Sequence, residues 1–112
     1  MSSQNSSDFF AKGLASHQRG ELLHAEVLYR AVIQLDPGHF DAIHLTGVIC
    51  AQQNRMDQAR VLVERALRID PSSASANQNL GNILSGQGER EAAVGLFKRA
   101  ITLNPGHVDA CF

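Results

Sequence analysis

The stretch Asn79–Pro105, NLGNILSGQGEREAAVGLFKRAITLNP, decides the fold. Leu80-Gly81, Leu84, Gly88, Ala93, Phe97, Ala100 and Pro105 set out small, large and breaker residues in the order of a helix, a tight turn and a second helix. Upstream the same order returns at an offset of 34 residues: Pro37, Pro71 and Pro105 keep step, as do Gly13, Gly47 and Gly81, and Ala25, Ala59 and Ala93. Ile33, Leu67 and Ile101 form a fourth column, and Leu35, Ile69 and Leu103 a fifth. Independent columns sharing one period identify a tandem array of one supersecondary unit.

The pattern Leu-Gly-x-x-Leu…Ala-x-x-x-Phe…Pro from Leu80 to Pro105 resembles the tetratricopeptide repeat (TPR) family, with Leu84 standing where a Tyr is usual. The resemblance covers the chain from about Ser6 to Phe112. It implies an all-α fold, a right-handed superhelix of three helix-turn-helix repeats plus the start of a fourth. The expected divisions are a flexible N-terminus at 1–7, repeat 1 at 8–39, repeat 2 at 40–73, repeat 3 at 74–107 and the opening of repeat 4 at 108–112.

Composition agrees with a folded module of nearly balanced charge. The 112 residues are 44% apolar, enough for a core, and 10 basic residues nearly balance 11 acidic ones for a net charge of −1. A nucleic-acid partner calls for a basic excess, which is lacking. Cys50 and Cys111 show neither CxxC nor Cys/His ligand spacing, which speaks against a disulfide framework and a structural zinc site and for a reducing compartment. The start MSSQNSSDFF has neither the basic residue nor the apolar run expected of a signal peptide, and the most apolar window, Ala42–Ala51, is too short to span a bilayer. The expected setting is cytoplasmic, with no membrane partner.

In chain order, Ser7 or Asp8 is expected to cap a helix over about Asp8–Arg19. Gly20 turns the chain into a helix over Glu21–Leu35, which Asp36-Pro37 stops. Repeat 2 is expected as helices Phe40–Gln53 and Met56–Ile69, with Asn54 in place of the turn glycine because Asn tolerates the left-handed region. Repeat 3 is expected as Ala74–Gln87 and Glu89–Leu103 around Gly88. The segment Pro105-Gly106-His107-Val108-Asp109-Ala110 repeats Pro37-Gly38-His39-Phe40-Asp41-Ala42, which carries the array into a fourth unit. Gly47 with Ala59, and Gly81 with Ala93, let paired helices approach closely, while Tyr29, Val63 and Phe97 fill the gaps between them.

Catalytic and metal chemistry find no support. His17, His24, His39, His44 and His107 lack ligand-spaced partners and read as surface or groove residues. Gly81-x-x-x-x-Gly86 lacks the Lys-Ser/Thr of a phosphate loop and falls within a helix. Cys50 reads as a small buried hydrophobe. The arginines of the second helix of repeat 2 read as a solvated face, on which Arg60–Glu64 and Glu64–Arg68 stand four apart and can pair. No cofactor and no catalytic residue is expected.

What remains is a binding face. In the TPR family the first helix of each repeat lines a concave groove that holds a peptide or partner helix. Carried over by equivalence, that groove comprises Phe10, Leu14, His17, His44, Leu45, Val48, Gln52, Gln78, Asn79 and Asn82. Asn79 and Asn82 resemble the asparagine ladder in the TPR arm of O-linked N-acetylglucosamine transferases, although Ala11 and Leu45 occupy the places equivalent to Asn79. The cationic clamp by which chaperone-binding TPR domains hold a carboxylate is replaced by Phe10, Leu14, Leu45, Ser75 and Asn79, none of them charged. The expected function is non-catalytic binding of a protein or peptide. Two further readings stand beside it: a substrate-recruiting arm of a larger glycosyltransferase of that type, and an assembly module that pairs with a second copy through its open C-terminal end.

Overall fold

The computed structural model describes residues 6–105. Over these the chain forms six helices and no strand: α1 (Ser6–Gln18), α2 (Leu22–Leu35), α3 (Phe40–Gln52), α4 (Met56–Ile69), α5 (Ala74–Gly86) and α6 (Arg90–Leu103). Each packs on its sequence neighbours, α3 also touches α5 directly, and the body extends 50 × 25 × 23 Å. No described helix is long and apolar enough to cross a membrane.

Helix boundaries fall within two residues of those expected. The largest difference is at the start, where α1 begins at Ser6 and takes Ser7 and Asp8 into its first turn. There the Asp8 carboxylate meets the positive end of the helix dipole rather than serving as a residue ahead of it. His107, Cys111 and the expected opening of a fourth repeat lie outside the described residues.

One hydrogen-bonded turn is used three times. Gly20, Asn54 and Gly88 hold φ of +79°, +62° and +85°. Gly20, Asn54 and Gly88 each donate their N–H to the carbonyl three residues back, at 3.0–3.1 Å, and the next residue donates to the carbonyl five back: Glu21 to Ser16, Arg55 to Cys50 and Glu89 to Leu84, at 2.7–2.9 Å. This is a Schellman closure, which satisfies the last carbonyls of α1, α3 and α5. Glu21, Arg55 and Glu89 also begin the following helices without a side-chain cap, so their charged groups are left for other contacts. Between repeats the caps are side chains: His39 Nδ1 and Ser73 Oγ accept the N–H of Ala42 and Ala76, each at 3.1 Å.

The glycine column is a packing requirement. A Cβ on Gly13 would lie 2.6 Å from the Tyr29 ring, one on Gly47 2.7 Å from Val63 Cγ2, and one on Gly81 2.6 Å from the Phe97 ring. The large residue of each second helix therefore rests directly on the glycine of the first. Burial then gathers into two clusters, each across a repeat junction. Ala25, Tyr29, Val32, Ala42 and Ile49 join repeats 1 and 2, and Cys50, Ala59, Val63, Ala76, Leu80, Ile83, Leu84 and Ala93 join repeats 2 and 3. Buried polar residues are satisfied: Thr46 Oγ1 donates to the Ala42 carbonyl at 2.6 Å, and Ser16 Oγ pairs with His24 Nδ1 at 3.2 Å.

Candidate functional site

The face shared by α1, α3 and α5 is tied together by side chains rather than by backbone. The Tyr29 hydroxyl hydrogen-bonds His17 Nδ1, and His17 Nε2 donates to Gln52 Oε1, both at 3.2 Å, so that His17 links α1 to α2 and α3. One repeat along, Asn79 Nδ2 donates to His44 Nε2 at 2.8 Å, which joins α3 to α5. His44 is only 7% exposed and lies against Phe40, ring centroids 5.6 Å apart. Burial holds its pKa below the ordinary imidazole value, with the nearby Asp41 carboxylate opposing that trend. A neutral ring is the form whose Nε2 can accept from Asn79.

Between α3 and α5 lies a cavity of about 240 Å³, lined by Val48, Ala51, Gln52, Met56, Asn79, Asn82 and Ile83. Four of the ten expected groove residues meet here: Val48, Gln52, Asn79 and Asn82. His17 and His44 do not line the cavity but hydrogen-bond Gln52 and Asn79, which do. Gln78 is half-buried on α5 without lining the cavity.

Phe10, Leu14 and Leu45 do not line this cavity. They pack against the cluster that joins repeats 1 and 2, and the Phe10 ring lies tilted against His39 and Tyr29, with ring centroids 4.8 and 5.8 Å away. Like Val48 they are half-buried, so each serves the junction and still lies partly open. His39 is a helix cap, and Cys50 is fully buried with its thiol pKa pushed up by desolvation, as befits a core residue. Among the described residues no three His, Cys, Asp or Glu side chains gather in a way that could hold a metal.

Sequence reading missed Ala51, Met56 and Ile83. Helical spacing carried the signal for two of them. Val48, Ala51 and Gln52 are i, i+3 and i+4 on α3, and Asn79, Asn82 and Ile83 are the same on α5. Comparing equivalent repeat positions obscured this, because the two triplets meet one helical turn out of register: Val48 is equivalent to Asn82, not to Asn79.

Lysine is absent from this lining and so is every other charged side chain. Three carboxamides surround an apolar floor, an arrangement suited to hydrogen bonding and apolar contact and without a nucleophile, acid or base for catalysis.

The chain matches the tetratricopeptide repeat family over residues 17–83 and again over residues 77–109. No curated protein matches it. Among solved structures, MamA aligns with a TM-score of 0.83 at 24% identity, covering 94% of this chain and 61% of that one. An O-GlcNAc transferase of Thermobaculum terrenum aligns with a TM-score of 0.87 at 27% identity, covering 94% of this chain and 21% of the transferase. The chain thus spans less than two thirds of either protein. The first TPR of Spaghetti (RPAP3), bound to an HSP90 peptide, aligns with a TM-score of 0.86 at 18% identity, covering 94% of this chain and 83% of that one.

Proposed function

Because this chain belongs to the tetratricopeptide repeat family, we propose that it is a non-catalytic module that binds a protein or peptide along the concave face of α1, α3 and α5. The observation that carries this reading is the uncharged cavity between α3 and α5, whose Gln52 and Asn79 are hydrogen-bonded to His17 and His44 on the neighbouring helices. Side chains fixed before binding lose little conformational entropy when a ligand arrives. The RPAP3 domain of the same fold takes a peptide, which supports the same use of the fold here.

Panning the folded domain against a displayed library of random dodecapeptides tests the proposal. Enriched peptides should lose affinity with Asn82→Arg, an exposed site on α5, and keep it with Leu23→Arg, an exposed site on the α2 surface. A library that yields no binder, or binders insensitive to the α5 change, would remove the reading.

A second reading, a substrate-recruiting arm of a larger enzyme, is favoured by the 27% identity to the O-GlcNAc transferase and by Asn79 and Asn82. The mass of the native polypeptide in a lysate, read with an antibody to this segment, discriminates the two. A mass several-fold larger than that of this segment favours the arm, and a mass equal to it favours the free-standing module.

A further inference from the structure

The cavity's size and hydrogen-bonding state define the chemistry of its occupant. At about 240 Å³ it falls below the roughly 300–1,000 Å³ of sites that enclose a free small molecule. It suits one side chain of leucine, methionine or phenylalanine size. Val48, Ala51, Met56 and Ile83 offer that side chain apolar contact, and with no charge in the lining an ionised group would be desolvated without a partner.

The polar groups at the wall are complementary to a peptide unit. Gln52 spends its Oε1 as acceptor of the His17 Nε2–H bond and keeps its Nε2 as a free donor. Asn79 spends an Nδ2 hydrogen on His44 and keeps its Oδ1 as a free acceptor. One carboxamide from α3 and one from α5 therefore present a donor and an acceptor around an apolar hole. Backbone C=O and N–H groups flanking a single apolar residue supply the matching pair.

Resting on the peptide-binding reading above, we propose that this cavity is a single-residue specificity pocket. It takes an uncharged apolar side chain from within an extended segment of a partner protein, while Gln52 donates to and Asn79 accepts from the segment's backbone. The occupant is an internal residue and not a C-terminal carboxylate, because nothing in the lining answers a negative charge.

The dodecapeptides enriched by the folded domain provide the probe. They should share Leu, Met, Ile or Phe at one position, and replacing that residue by Ala or Asp should weaken binding about tenfold or more. Ala51→Leu, which fills the cavity from a half-buried position, should weaken them similarly, and Gln52→Glu, an exposed change that exchanges the donor for an acceptor, should do so too. Helical circular dichroism and the unfolding midpoint establish that each variant is folded, and Val48→Phe fills the same space from the adjacent turn should Ala51→Leu fail to fold. Enriched peptides that bind these filled variants as tightly as the parent, or that end in an acidic carboxylate, would overturn the pocket while peptide binding itself stands. Sensitivity to Asn82→Arg without sensitivity to cavity filling would do the same. An empty library would remove both.

Discussion

At the scale of single residues, two kinds of position behave oppositely to their appearance in the sequence. Gly47 and Gly95 are both helical glycines, each nominally a weak point of its helix. A methyl group on Gly47 meets Val63 Cγ2 at 2.7 Å and the Ala59 carbonyl oxygen at 3.3 Å, and both neighbours are fully buried, whereas one on Gly95 meets nothing within 4 Å. Gly47→Ala should therefore destabilise by about 1–3 kcal/mol, and Gly95→Ala should stabilise by about 0.5–1 kcal/mol. Urea unfolding followed by circular dichroism reads both, and equal shifts in one direction would contradict the packing described. The second case is His44. Its folded-state pKa lies below the ordinary 6.5 because of burial, so below that pH the unfolded chain binds a proton that the folded chain refuses. The contribution is fully present above 6.5, is lost as pH falls toward the folded pKa, and levels off beneath it. Between pH about 7 and about 5 the unfolding midpoint of the parent should fall more steeply than that of His44→Gln. Parallel slopes would mean that the buried imidazole is not what the pH change acts on.

At the scale of helices, the junctions between repeats combine an invariant contact with a reversed one. Arg65 donates to the Pro37 carbonyl at 3.0 Å, and Arg99, 34 residues on, donates to the Pro71 carbonyl at 3.3 Å. The ion pairs change sign instead. Glu26 on α2 receives both arms of Arg55 at 2.6 and 3.3 Å, and at the equivalent positions one repeat later Arg60 on α4 reaches Glu89 at 2.6 Å. The Schellman closure makes this possible, since Arg55 and Glu89 have no capping duty. Arg55, and then Arg30, hold the Glu26 carboxyl below its usual pKa. Glu26→Arg alone should destabilise, and adding Arg55→Glu should recover part of the loss; recovery stays partial because Arg30 also pairs with Glu26, at 2.9 Å. A double-mutant cycle on Glu26 and Arg55 should give a coupling of about 1 kcal/mol. The coupling of Arg60 to Glu89, whose side chains are 33% and 47% exposed, should be smaller and should fade with added salt. Zero coupling at Glu26–Arg55 would leave the reversal without energetic meaning. Arg60–Glu64 pairs as its spacing led one to expect, at 3.2 Å.

At the scale of the whole molecule, stability and site come from the same stacking. Neither apolar cluster lies within one repeat, and the middle repeat contributes to both, through Ala42 and Ile49 to the first and Cys50, Ala59 and Val63 to the second. That is the energetics of a linear array, in which each unit is stabilised by its neighbours. The cavity is likewise a property of the stack, since its walls belong to adjacent repeats. The sequence by itself determined the array, the period, the turn residues and the helix limits, because these follow from local rules: helical spacing, left-handed turn residues, proline stops and small-against-large pairing. It also brought four cavity residues within the expected groove. Only the tertiary structure decided which apolar residues of that face border the cavity. Phe10, Leu14 and Leu45 are half-buried as Val48 is, yet they pack on the cluster joining repeats 1 and 2 while Val48 lines the cavity. Tertiary packing likewise joined Glu26 to Arg55 and His44 to Asn79, pairs 29 and 35 residues apart. The physical reason is that spacing along one helix fixes which residues share its face, whereas the offset by which two stacked helices meet depends on the volumes of all the side chains between them.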